Sequence, residues 1–269
     1  MKTKRILFSF ACVSVLLCGS CARKLSVNNT TKDIKPKLTK LKVKRSLKVP
    51  QAQSIATDGK YIYTISGRLV KYDMDGDELA RGNIDARHFG GFTYLDSKLY
   101  SAVSECTEKG TDKHWIIVFS TESMEIIAEH DIGNYFGICA GGMEYFDGHF
   151  YVAESYFDYD HFDYIVKFDE NFNYVDSYRI DFKSSYGIQG LAYLPSLDMF
   201  QVNSHGNEFY LIDTDFNSST IQHGLTFSGE FPHGLQDVAY LDENTILLNA
   251  NGREDDLNIV FAELIRPEN

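Results

Sequence analysis

From residue 54 onward, short apolar runs alternate with tight polar turns, and the same arrangement recurs five times. Its clearest copy runs from Gly141-Gly142-Met143-Glu144-Tyr145-Phe146 through Asp147-Gly148 to His149-Phe150-Tyr151-Val152-Ala153-Glu154-Ser155. Asp-Gly between two apolar runs predicts a hairpin, because glycine supplies the positive φ that a primed turn requires. The other copies begin at Ser54-Ile55-Ala56-Thr57-Asp58-Gly59, Gly90-Gly91-Phe92-Thr93-Tyr94, Gln189-Gly190-Leu191-Ala192-Tyr193 and Gln236-Asp237-Val238-Ala239-Tyr240. Aligned on Tyr63, Tyr100, Tyr151, Phe200 and Leu247, the copies are spaced by 37, 51, 49 and 47 residues. Repeats of this length built from short strands predict a β-propeller.

Each unit continues into a third strand and most into a fourth, as in Trp115-Ile116-Ile117-Val118-Phe119 and Glu125-Ile126-Ile127-Ala128-Glu129. These runs are rich in β-branched and aromatic residues, and no window beyond the leader has helical periodicity. The fold class is therefore all-β: a five-bladed β-propeller of four-stranded antiparallel blades. The fifth unit offers three strands in this sequence, ending at 257–264, whereas Leu41 to Val49 alternates apolar and basic residues ahead of the first unit. The N-terminal strand is expected to complete the last blade, which removes an open edge.

The first 21 residues read as a leader. Lys2, Lys4 and Arg5 precede the apolar run Ile6 to Leu17, and Gly19 and Ser20 precede Cys21. That order is a secretory signal. The ending Leu17-Cys18-Gly19-Ser20-Cys21 resembles a bacterial lipobox, which implies lipidation of Cys21 and a lipid-anchored place in the cell envelope, periplasmic or surface-exposed; the bland reading is an ordinary cleaved signal. The expected organisation is a signal at 1–21, a basic tether at 22–40 and the propeller at 41–269. The basic stretch would be drawn to anionic head groups, or would be a solvated linker. Two cysteines remain beyond the leader, Cys106 and Cys139, either paired by an oxidising compartment or left as thiols.

Charge divides the chain. Residues 51–269 hold 13 of the 26 basic residues and 37 of the 38 acidic ones, a net charge of −24 with His neutral. Nucleic acid and other polyanions are excluded as partners. Small molecules, cations among them, or a protein partner remain, with the membrane reached through the anchor only and the chain acting as a monomer.

In a propeller the segments leading into the inner strands, and those leaving the second strands, meet at one end of the central channel. There the sequence places Gln53, His88, Cys139, Gln189, His233, Gln236 and Asp237, with Glu105, Glu154, Asn203, His205, Asn249 and Asn251. Gln189, Asn203, His205, His233, Asp237, Asn249 and His88 are the ligand-binding candidates. The plain alternative is that they satisfy backbone groups. Glu154 and Glu105, from adjacent blades, are the acid–base candidates. No short metal spacing is present, so no metal ligands are assigned; His88, His205, His233 and Glu154 offer only a loose set for a divalent cation, the one cofactor considered. Asp73-Met74-Asp75-Gly76-Asp77-Glu78 mimics a calcium loop, but its glycine falls at the fourth position rather than the sixth, so it reads as a turn. The acidic, aromatic run Tyr156 to Tyr164 could roof the channel or pack on its own blade.

With Gln189-Gly190-Leu191 and Tyr151-Val152-Ala153-Glu154-Ser155, the blade pattern resembles secreted propellers of the NHL, gluconolactonase-like and plant-type glutamine cyclotransferase kinds. The first two imply a ring and, for gluconolactonase-like enzymes, a divalent metal. At the matching positions this chain has Gln53, Gly90, Gly141 and Gln189, with only Asp237 acidic, so the metal set is not reproduced. The cyclotransferase likeness implies a catalytic Glu near Gln-Gly-Leu, but Glu154 and Gln189 fall in different blades. The expected function is an envelope propeller binding a small ligand or partner at the channel rim. The alternatives are a cyclotransferase-like or hydrolytic enzyme using Glu154 or Glu105, and a scaffold for other proteins.

Overall fold

The computed structural model describes residues 40–265 except 51, 85–86, 106–112, 134, 138, 157–161, 182–186, 205–208, 223–225, 229–233 and 252–255. The leader with Cys21, the tether, Cys106, His205, His233 and most of the acidic, aromatic run lie outside the described residues. Among the described residues, no helix is long and apolar enough to cross a membrane.

The strands form five antiparallel blades around an axis. Blade one runs over Ser54–Thr57, Ile62–Ile65, Leu69–Tyr72 and Glu78–Gly82, and blade two over His88–Leu95, Lys98–Ser104, His114–Ser120 and Ile126–Asp131. Blade three comprises Cys139–Phe146, His149–Ser155, Asp163–Phe168 and Tyr174–Ile180. Blade four has Ile188–Leu194, Met199–Ser204 and Phe209–Ile212, with a lone bridge from Leu211 to Gln222 where a fourth strand would lie. Blade five has Leu235–Asp242, Thr245–Asn251 and Asp256–Ile265. The strand Lys40–Pro50 pairs antiparallel with Asp256–Ile265, so the N-terminal segment closes the last blade as expected. On its other side it takes Thr226–Ser228 in parallel.

The sequence pattern explains the ring. A strand's side chains alternate between its two faces, and a blade has a neighbour on each. In blade three Phe150 and Val152 face the seam with blade two, while Tyr151 and Ala153 face the seam with blade four. Middle strands are therefore largely apolar. The outermost strand, Tyr174–Ile180, is mostly exposed and correspondingly polar. Five buried clusters result, each drawn from two adjacent blades. The cluster uniting Val49, Ile55 and Ile62 with Leu247, Ile259 and Phe261 seals blade five to blade one. Each fully buried Leu, Ile or Phe contributes about 1.5–3 kcal/mol, and Leu41 and Ile55 are among them at 0 % exposure.

Asp147 and Gly148 both have positive φ, 48° and 74°, as a primed two-residue turn requires. The calcium-loop mimic is a turn: Asp73 Oδ1 accepts from the amides of Asp75 and Asp77. Cys139 is disulfide-bonded.

Candidate functional site

The inner strands run the same way along the axis, beginning at the loop end of the channel and finishing at the turn end, where each passes into its hairpin. At the middle they touch backbone to backbone. A Cβ on Gly190 would collide with Asn203 Oδ1 and with Asp237, and one on Gly142 would strike Gly190. Glycine is needed at this waist because no side chain fits between the strands.

At the loop end most sequence-predicted residues are engaged by the neighbouring blade or their own, although Asn203 Nδ2 and Asn249 Oδ1 are buried without a partner. Gln189 Nε2 donates to Ser155 Oγ across the seam between blades four and three, at 2.9 Å. Asn249 Nδ2 donates to the Ala52 carbonyl of blade one at 3.2 Å, and Gln53 Nε2 to Gln236 Oε1 at 3.2 Å. Asn203, 1 % exposed, accepts from Gln201 Nε2 on its own strand. Glu154 accepts from the amide of Gly137 and so fixes the segment that leads into blade three. Glu105 is exposed and pairs with Lys113, at 3.4 Å, across its own hairpin. His88 is half-buried, and burial holds its ring below the ordinary histidine value, hence neutral at physiological pH.

Asp237 lies deeper, 0 % exposed. Its Oδ2 accepts from the Ile55 amide of blade one at 3.0 Å and its Oδ1 from its neighbour Val238 at 2.8 Å. Burial pushes its carboxyl well above the usual range, against those two bonds, and the charge of Glu144 adds to the rise.

The turn end is different. There a cavity of about 260 Å³ is lined from all five blades, by Ala56 and Thr57, Phe92 to Tyr94, Glu144 and Tyr145, Tyr193 and Pro195, and Ala239 and Tyr240. None of the loop-end candidates among the described residues lines it. Its one ionisable carboxyl is Glu144. Glu144 Oε1 accepts from Thr93 Oγ1 at 2.8 Å and from the Tyr145 amide at 2.7 Å, and Oε2 accepts from the Tyr193 amide at 3.2 Å. A single side chain thus ties blades two, three and four. Burial pushes its carboxyl up to about 7, and the three donors hold it from rising further.

Sequence reasoning passed over Glu144, although the signal was present. In the recurring unit the residue before the inner-strand Tyr, or before Thr57 in blade one, is Ala56, Thr93, Glu144, Ala192 or Ala239. One charge among four small residues at an equivalent place is the anomaly. Glu144 sits within the repeat itself, away from the strand ends at the other mouth where the polar candidates stand. No cluster of three or more His, Cys, Asp or Glu able to hold a metal occurs among the described residues.

Comparison with protein families finds no match, and none of the curated proteins matches either. Among solved structures, the chain is similar to the glutaminyl cyclase of Myxococcus xanthus, with 12 % identity and a TM-score of 0.59 over 85 % of this chain and 99 % of that one. It is more distantly similar to the WD40 propeller domain of Doa1, at 12 % identity and a TM-score of 0.44 over 83 % of this chain and 97 % of that one. A chain of a mitotic checkpoint complex gives 9 % and 0.44 over 79 % and 63 %. At such identities the likeness to the glutaminyl cyclase is one of fold, the five-bladed β-propeller.

Proposed function

We propose that this protein is a small-molecule-binding propeller of the bacterial cell envelope, held there by a lipid on Cys21, and that its ligand occupies the axial cavity at the turn end. The observation that carries this reading is the cavity itself, to which all five inner strands contribute and which holds a lone, proton-exchanging carboxyl. Most loop-end candidates are already engaged within the protein, with Asn203 Nδ2 and Asn249 Oδ1 the buried atoms left over. A cavity of about 260 Å³ lies just below the roughly 300–1,000 Å³ of sites for drug-sized molecules, so the ligand is small. The test is a thermal-shift screen of the purified chain beside Ala239→Leu, which adds bulk at the cavity wall. A ligand at a hundred times its Kd stabilises by about 2.7 kcal/mol; that shift should vanish in the variant. Equal shifts in both proteins would move the site elsewhere.

A second reading is an enzyme. A carboxyl titrating near neutrality can take and return a proton at physiological pH, and the fold neighbour is a glutaminyl cyclase. The likeness is of fold only, which does not assign an activity. Under this reading Glu144 is the acid–base group, in place of Glu154 or Glu105, and Glu144→Gln abolishes turnover while leaving the fold intact.

A further inference from the structure

The donor and acceptor inventory of the cavity narrows what it can hold. Among the eleven lining residues there is no Lys, Arg, His, Asn, Gln or Trp, so no lining side chain offers an N–H. The Thr93 hydroxyl is already given to Glu144. The Thr57 hydroxyl donates to the Tyr61 carbonyl, closing its own hairpin. Of the four lining tyrosines, Tyr145 gives its hydroxyl to Glu170 and Tyr193 gives its own to Asp198. Acceptor capacity is left over. A carboxylate has about four lone-pair sites; Glu144 uses two on Oε1 and only one on Oε2, where the single bond to the Tyr193 amide is long at 3.2 Å. Deeper along the axis is a second carboxyl, Asp237, electrostatically linked to Glu144.

The Tyr94 and Tyr240 hydroxyls leave a sugar few wall donors to match its many oxygens, and an anion would face Glu144 with no compensating cation. Both fit poorly. A ligand that brings its own N–H donors and a positive charge fits, and the aromatic walls of Phe92, Tyr94, Tyr145, Tyr193 and Tyr240 suit it, since ring faces attract cations. We infer that the cavity takes a small primary or secondary organic ammonium ion, whose N–H is donated to Glu144 Oε2. This rests on the reading of the cavity as the ligand site, and it names the chemistry that reading leaves open.

The probes are benzylammonium, its neutral isostere benzyl alcohol, benzoate and glucose, titrated calorimetrically into the purified full chain at pH 8. The expected result is benzylammonium binding at least tenfold tighter than benzyl alcohol, no binding of benzoate or glucose, and loss of the amine preference in Glu144→Gln. The comparison of amine with alcohol is made on the unmodified protein, so it stands whether or not the variant folds. Benzyl alcohol or glucose binding as well as the amine, with that binding lost in Ala239→Leu, would overturn the ammonium assignment and leave the cavity as a ligand site. Failure of all four probes to bind at millimolar concentration would overturn both.

Discussion

The two ends of the channel are built from the same five strands and do opposite things with their polar groups. At the loop end Gln189, Asn249, Gln53 and Glu154 each reach a partner in a neighbouring blade or an adjoining segment. At the turn end most positions are small or aromatic, and one carboxylate faces a cavity with acceptor capacity to spare. The number of polar residues is thus a poor guide to where a ligand binds. The loop-end amides are largely engaged with the surrounding chain, with Asn203 Nδ2, Asn249 Oδ1 and Gln201 Oε1 left buried without a partner, whereas the one carboxyl at the turn end accepts three bonds and still faces a cavity.

The waist that divides the two ends offers the most severe way to break this comparison. Gly190→Ala places a methyl on Asn203 Oδ1 and the backbone of Asp237, where neither can withdraw. Chemical denaturation should show a loss of about 3 kcal/mol, at the upper end for an overpacked core. A loss under about 1 kcal/mol would show that the strands do not meet there as closely as described.

Glu144→Gln sharpens the comparison through pH. The folded state raises this carboxyl from an ordinary value of 4.5 to about 7, so the folded protein holds the proton more tightly than the unfolded chain. Stability contributed by the protonated group is therefore present below pH 4.5 and is lost as pH rises through 7. The loss is on the order of 3 kcal/mol at most, taking 1.36 kcal/mol for each unit. Glutamine lacks this slope, and the variant should gain on the wild type between pH 5 and 7 and run parallel to it above pH 8. Parallel curves throughout would mean that Glu144 is an ordinary solvated carboxylate.

The mildest change is Glu154→Gln. Its amide oxygen can still accept from Gly137, so thermal denaturation should register less than about 1 kcal/mol, and ligand binding in the axial cavity should be unaltered. Loss of a ligand or of turnover in this variant would return the site to the loop end.

Much of the fold was legible from residues alone. The Asp-Gly turn and the alternation of Phe150, Tyr151, Val152 and Ala153 are local rules, and five repetitions of them leave little but a ring. The closing strand was legible because Leu41, Val43, Leu47 and Val49 needed a partner and the fifth unit lacked one. Blade four departs from the plan in detail: its outer position holds a single bridge at Gln222, which no spacing announced. The site was harder. Polarity marks a residue's chemistry but not whether a neighbour has already claimed it. The partner of Asn249 is Ala52, 197 positions away, and that of Asp237 is Ile55. Glu144 was hidden for the converse reason. Its setting is the stretch that defines the repeat, where a reader attends to what the copies share.

The closing ladder joins Leu41 to Leu264 and Pro50 to Asp256. Bringing together two segments with roughly 200 residues between them carries a large entropic penalty until the intervening blades have shortened the path. The ring would accordingly be assembled from blades one to four first, and the strand Lys40–Pro50 would be the last to dock. Until then that strand must wait, basic and unpaired. The N-terminal strand is therefore where a quality-control protease would best distinguish a finished ring from an unfinished one.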